Sequence, residues 1–244
     1  MRRLIFAVAS FLALSGCASI DKVSPGLSPD SIYKIAQNSL LNSDYSNASR
    51  YYEALSLRFP NNPLTRKGEI ELAYTYYEND DLDQALAVCE RFLKIYPDDT
   101  NADYALYLKA LIYYEKNQYK FSELVKQDSS DRDSKTLSES FLLFKELVTR
   151  YPDSVFRPDA QRYLSHIDFL LAKHNFDIAL FYLKHGAYSA ALSRFQGVLV
   201  EHPTSSLREE SLSHIIDCYN LMGMKEMAAD TKKVLLANYP NVKA

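Results

Sequence analysis

The sequence predicts an all-α protein, a superhelical solenoid of five helix hairpins. Two observations carry that expectation. The stretches "LSLRFP", "FLKIYP", "LVTRYP", "VLVEHP" and "LLANYP" end at Pro60, Pro97, Pro152, Pro203 and Pro240, at intervals of 37, 55, 51 and 37 residues, and periods in this range mark a repeat array. Upstream of each proline, small and aromatic residues recur at helical spacing, and the proline, which has no N–H, closes the helix. A hydrophobic content of 47% excludes a mainly disordered chain.

The first element is an address. Arg2 and Arg3 precede an apolar run from Leu4 to Leu14, too short for the roughly 20 apolar residues that cross a bilayer. A basic head, a short apolar core and a small-residue zone form a secretory signal over residues 1–16. Leu14-Ser15-Gly16-Cys17 resembles the lipobox of bacterial lipoproteins. That resemblance implies cleavage before Cys17, an S-diacylglycerol and an N-acyl chain on Cys17, and a lipid-anchored linker over residues 17–29. Each buried lipid methylene contributes about 0.8 kcal/mol, so several chains on one residue anchor stably. Ala18 and Ser19 follow the cysteine, where lipoproteins of the inner membrane carry Asp, which implies the outer membrane.

The hairpins follow in order. The first places Ile35 and Ala36 on one helix and Ala48, Tyr52 and Leu55 on the next. The second places Leu72, Ala73 and Tyr76, then Ala85, Cys89 and Phe92. The third gives Ala110 and Tyr113, then Ser140, Phe144 and Leu147; the fourth Ile178, Ala179 and Tyr182, then Ala191, Phe195 and Val198; the fifth Ile215, Ile216 and Tyr219, then Ala228 and Leu235. The pattern resembles the tetratricopeptide repeat, two antiparallel helices with small residues where they cross and a closing proline. The excess of the 55-residue interval falls between the two helices of the third hairpin, roughly Gln118 to Lys135, whose Ser and Asp clusters read as a polar loop. The 51-residue interval contains a run from Pro158 to His185 with no internal Gly or Pro. Pro158 suits a first turn and Gly186 the position just past the end, so it reads as one first helix lengthened by about four turns.

First helices of such repeats line a concave groove at positions three to four apart. In order these are Tyr33, Gln37 and Leu40; Lys67, Ile70, Tyr74 and Tyr77; Tyr104, Tyr107, Leu111 and Tyr114; Lys173, Phe176, Leu180 and Lys184; and Glu210, Ser213, Asp217 and Asn220. Tyrosine, at 19 of 244 residues, is concentrated in the N-terminal half of this surface. Large area on few rotors suits recognition, and the same rings also suit packing between hairpins. Arg194 lies on a second helix whose Ala191, Phe195 and Val198 point inward, so it faces outward, as a solvated charge or as a partner for an acidic chain.

Other chemistry finds little support. Without Arg2 and Arg3 the 28 basic side chains fall to 26 against 31 acidic ones, a balance that disfavours phosphate backbones and hence nucleic acid. The histidines, His166, His174, His185, His202 and His214, form no i, i+4 pair of a metal site. Six glycines are scattered and form no phosphate loop. Asp128, Asp131 and Asp133 lack the Gly and closing Glu of a calcium loop and read as turn or cap residues. Cys89 and Cys218 stand far apart along a solenoid, so they read as two separate buried thiols. No metal, no other cofactor and no enzymatic activity are expected.

Lipobox, five repeats, "DSSDRD" (Asp128 to Asp133) ahead of "LVTRYPDS" and the long helix of the fourth hairpin together resemble the BamD (ComL) family of lipoproteins. The resemblance implies a scaffold of the β-barrel assembly machinery on the periplasmic face of the outer membrane. It implies that repeats 1–3, residues 30–152, receive unfolded outer membrane proteins. Their C-terminal peptide would lie along Tyr33, Lys67, Tyr74, Tyr77, Tyr104, Tyr107 and Tyr114, its carboxylate near Lys67. Repeats 4–5, residues 153–244, would dock the periplasmic domains of BamA and companion lipoproteins, Arg194 among the contacts. The other reading is a pilotin, a repeat lipoprotein that carries a secretin to the outer membrane.

Overall fold

The computed structural model describes residues 23–123 and 130–241, and the side chains of residues 118–134 lie outside the description. The described residues form ten α-helices and no strand: α1 (Pro29–Leu41), α2 (Tyr45–Arg58), α3 (Pro63–Glu78), α4 (Leu82–Ile95), α5 (Ala102–Glu123), α6 (Ser130–Arg150), α7 (Arg157–Lys184), α8 (Tyr188–Glu201), α9 (Arg208–Leu221) and α10 (Lys225–Asn238). The chain divides into two compact units within α4, between Val88 and Cys89. The first holds α1 to α3. In the second, helices adjacent in sequence pack from α5 through to α10, the nearest-neighbour construction of a helical-repeat solenoid.

Each second helix stops two residues before its proline, at Arg58, Ile95, Arg150, Glu201 and Asn238. The intervening residue still donates its N–H one helical turn back: Phe59 to Leu55 (2.9 Å), Tyr96 to Phe92 (2.8 Å), Tyr151 to Leu147 (2.9 Å), His202 to Val198 (3.3 Å) and Tyr239 to Leu235 (2.8 Å). Its own dihedrals leave the helix, with φ −134° and ψ 56° at Phe59, because a following proline ring disfavours the α region. Two residues past the proline, a short polar side chain takes an N–H of the turn. Asn62 accepts from Leu64 (2.9 Å), Asp99 from Asn101 (2.8 Å), Ser154 from Phe156 (3.2 Å) and Ser205 from Leu207 (3.2 Å). These local side-chain bonds turn the chain into the next hairpin.

The reversals inside hairpins are equally regular. Ser43, Asp80, Gly186 and Gly223 have φ of 58°, 64°, 78° and 75°. At each, the following N–H reaches five residues back, Asp44 to Ser39 (2.9 Å), Asp81 to Tyr76 (2.9 Å), Ala187 to Tyr182 (3.0 Å) and Met224 to Tyr219 (2.8 Å). This is the left-handed C-terminal cap that satisfies the last carbonyls of a helix.

The second-helix pattern sits in the core as the spacing predicts. Residues twelve, eight and five before each proline are buried: Ala48, Tyr52 and Leu55; Ala85, Cys89 and Phe92; Ser140, Phe144 and Leu147; Ala191, Phe195 and Val198. In the last hairpin Ala228 and Leu235 are buried, while Lys232 between them is exposed. Gly68 marks a close approach, since a Cβ there would lie 3.2 Å from both Leu55 and Tyr52.

One expectation holds and one changes. Helix α7 has 28 residues against 14 for α9, the four extra turns foreseen. The expected polar loop from Gln118 to Lys135, however, is helical at both ends, as α5 runs to Glu123 and α6 starts at Ser130; 124–129, including Asp128 of the "DSSDRD" run, lie outside the described residues. No Gly or Pro occurs between Pro97 and Pro152, and lengthening an existing helix needs no new nucleus. The division into compact units falls at 88/89. The first half of α7 shares a core with α5 and α6, through Ala160 and Ile167 against Leu106, Ala110, Phe144 and Leu147.

Candidate functional site

In the first unit the candidate groove residues gather around one carboxylate. Tyr33 on α1 and Tyr52 on α2 donate to the two oxygens of Glu71 on α3, at 2.7 and 2.6 Å. The Gln37 amide donates to the Tyr33 hydroxyl at 2.8 Å and to Glu71 at 3.4 Å. Burial first, and the Glu71 carboxylate second, push both phenols above their ordinary range, so both remain donors. The network ties three helices together and fixes the Tyr33 ring edge-on to Tyr52. Over that ring lies the Lys67 ammonium, 5.4 Å from the centroid, a cation–π distance. Lys67 is exposed, and Tyr74, two turns further along α3, is 36% exposed. About 10 Å therefore separates an exposed cation from an exposed aromatic on one helix face. Tyr77 is half-buried, and Tyr33 itself is buried.

The three tyrosines of α5 face α7. Tyr104 packs on Phe156 with centroids 5.2 Å apart, and Tyr107 stacks on the same ring at 4.9 Å. The Tyr107 hydroxyl donates to Asp159; burial, then that carboxylate, raise the phenol. Tyr114 is buried against Tyr163 and His166, at 5.0 and 6.1 Å. Sequence spacing placed these rings on a groove face, but Phe156, just ahead of α7, and Asp159, Tyr163 and His166 in its first turns cover them, so their area goes into packing between hairpins.

Further along, Arg194 is exposed as expected and donates to the Asn175 amide oxygen at 3.2 Å. Lys173 pairs with Asp177 at 2.8 Å, and Phe176 lies in the core with Phe195. Cys89 and Cys218 are separate buried thiols, and desolvation pushes Cys89 up to about 12. Cys17 lies outside the described residues. Among the described residues, no group of three or more His, Cys, Asp or Glu is placed to hold a metal ion, and no helix is long and apolar enough to cross a membrane.

Three residues escaped the sequence reading. Glu71 carried a signal, since it sits between Lys67 and Tyr74 at i+4 and i−3 on one face. Asp168, which accepts from Thr204 at 3.3 Å and lies 2.8 Å from the Nδ1 of buried His202, had none. Neither had Arg58, whose guanidinium donates to the Val23 and Ser24 carbonyls at 2.5 and 2.9 Å, because backbone acceptors leave no mark in a sequence.

Stacked hairpins with proline-closed second helices and an aromatic-cationic face define a helical-repeat protein of the tetratricopeptide kind. The comparisons narrow this. A family model described as outer membrane lipoprotein matches residues 25–235. The outer membrane protein assembly factor BamD of Neisseria meningitidis serogroup A is 37% identical over 246 residues, covering 98% of this chain and 92% of that protein. The factor of the same name from Vibrio cholerae is 32% identical, covering 95% and 97%. The chain belongs to this outer membrane lipoprotein family.

Proposed function

We propose that the chain is a lipid-anchored scaffold of outer membrane protein assembly. Acylated at Cys17, it sits at the periplasmic face of the outer membrane. The exposed face of α3 receives the extended C-terminal peptide of an unfolded outer membrane protein, with Lys67 near the terminal carboxylate and Tyr74 against an aromatic side chain. Repeats 4 and 5 dock the periplasmic domains of BamA and companion lipoproteins, with Arg194 as one contact. The work is binding and positioning, without covalent chemistry.

The match along nearly the whole chain to assembly factors from two organisms carries this reading. The Lys67–Tyr74 face, held by the Tyr33–Glu71–Tyr52 network, supports its peptide-binding part. The test is titration calorimetry with a peptide ending in an aromatic residue. Lys67→Ala with Tyr74→Ala should weaken binding about tenfold or more while leaving the fold intact, because both side chains are exposed and aromatic anchors dominate such interfaces. Unchanged affinity would remove the peptide site. Tagged chain purified from solubilised outer membrane should bring down the barrel subunit; recovery of a secretin instead would favour a pilotin.

A further inference from the structure

The first unit is electrically polar from end to end. The turn that joins α2 to α3 and its flanks, residues 55–67, carry Arg58, Arg66 and Lys67 and no carboxylate. The opposite end, residues 39–48 and 75–85, carries Asp44, Glu78, Asp80, Asp81 and Asp83 and no Lys or Arg. Helix α2, with 14 residues, sets these ends about 21 Å apart. Asp30, in the first turn of α1, is the one carboxylate that the start of α1 adds to the cationic end.

The N-terminal segment joins the body at that same end. Val23 is 1% exposed, and the Arg58 guanidinium grips the carbonyls of Val23 and Ser24, so the chain leaves the fold from a fixed point. Beside the grip, Leu57 is 64% exposed, and Arg66 is exposed as well. Only six peptide links separate Val23 from Cys17, roughly 20 Å at full stretch. A leash that short holds one end of the unit within reach of the surface its lipid enters. Charge selects among orientations, because an anionic headgroup layer attracts Lys and Arg within a screening length of about 8–10 Å and repels carboxylates.

We infer that the cationic turn end of the first unit, with Leu57 at its rim, rests on an anionic phospholipid surface, while the acidic end faces away. The inference rests on acylation of Cys17 and goes beyond the scaffold reading by orienting the peptide face: the α3 N-terminus and Lys67 lie at the membrane side.

The chain contains no tryptophan, so a single introduced indole reports its own surroundings. Leu57→Trp and Leu41→Trp place it at the two ends, both on exposed positions. The acylated full mature chain is reconstituted in phosphatidylethanolamine–phosphatidylglycerol vesicles with and without brominated acyl chains. Emission from Leu57→Trp should be quenched several times more strongly than emission from Leu41→Trp, and replacing phosphatidylglycerol with phosphatidylcholine should weaken that quenching. Equal quenching at both positions, stronger quenching at Leu41→Trp, or quenching that ignores the headgroup overturns the inference in a chain whose lipid is verified by intact mass. A chain lacking the lipid mass overturns the anchor reading, and the inference with it.

Discussion

Glu71 shows how much a single side chain organises. Two phenol donors and an amide converge on it from α1 and α2, and Tyr52 is fully buried. Tyr52→Phe removes one bond to a charged acceptor and should cost about 1.5–3 kcal/mol in urea denaturation. The raised phenols also set an alkaline limit. Tyr33, Tyr52 and Tyr107 ionise above their ordinary value when folded. Their contribution is thus complete below the unfolded value near 10 and is lost as pH rises beyond it. Tyrosinate absorbance should show these rings ionising together with unfolding, and an independent, gradual titration in the folded state would contradict it. At neutral pH, Cys89 and Cys218 should resist thiol reagents until the chain is denatured, since burial disfavours the thiolate. Residue-level legibility was uneven. Burial of Tyr52 or Phe144 follows from spacing alone. Whether Tyr107 meets a ligand or a neighbouring helix depends on the distance between hairpins, which no local pattern encodes.

At the scale of elements, the chain is punctuated twice per repeat, by proline after each second helix and by a left-handed residue within four hairpins. The prolines were legible because their geometry is fixed by the ring. The left-handed positions were half legible. Gly186 was foreseen as a terminator, whereas Ser43 and Asp80 hold the same conformation with side chains that seldom adopt it. Gly186→Ala and Gly223→Ala each force a Cβ into that region and should cost about 1–2 kcal/mol, read as a lowered midpoint in thermal unfolding. Gly68→Val should cost a similar 1–3 kcal/mol for a different reason, because its methyls enter the space already filled by Leu55 and Tyr52. Polar composition between Gln118 and Lys135 points to a loop, but with no helix breaker there α5 and α6 extend into it from both sides.

Across the larger unit, α7 belongs to two cores. Ala160 and Ile167 pack with α5 and α6, and Ala172, Phe176 and Ala179 pack with α8 and α9. Phe195→Ala should remove about 3–5 kcal/mol from the second of these. Amide hydrogen exchange should then accelerate in α8, α9 and the last turns of α7, with α5, α6 and the first turns of α7 still protected. Uniform loss of protection would mean that the two cores open as one. Elsewhere in this unit successive hairpins are joined by a turn, which a few dihedral changes can swing. Between the third and fourth hairpins a continuous rod of 28 residues, some 42 Å long, bridges the joint like a splint. Flexing there would have to break backbone hydrogen bonds in mid-rod, so whatever bending this unit undergoes when it is loaded is displaced to the corners at Asp99, ahead of α5, and at Ser205, between α8 and α9.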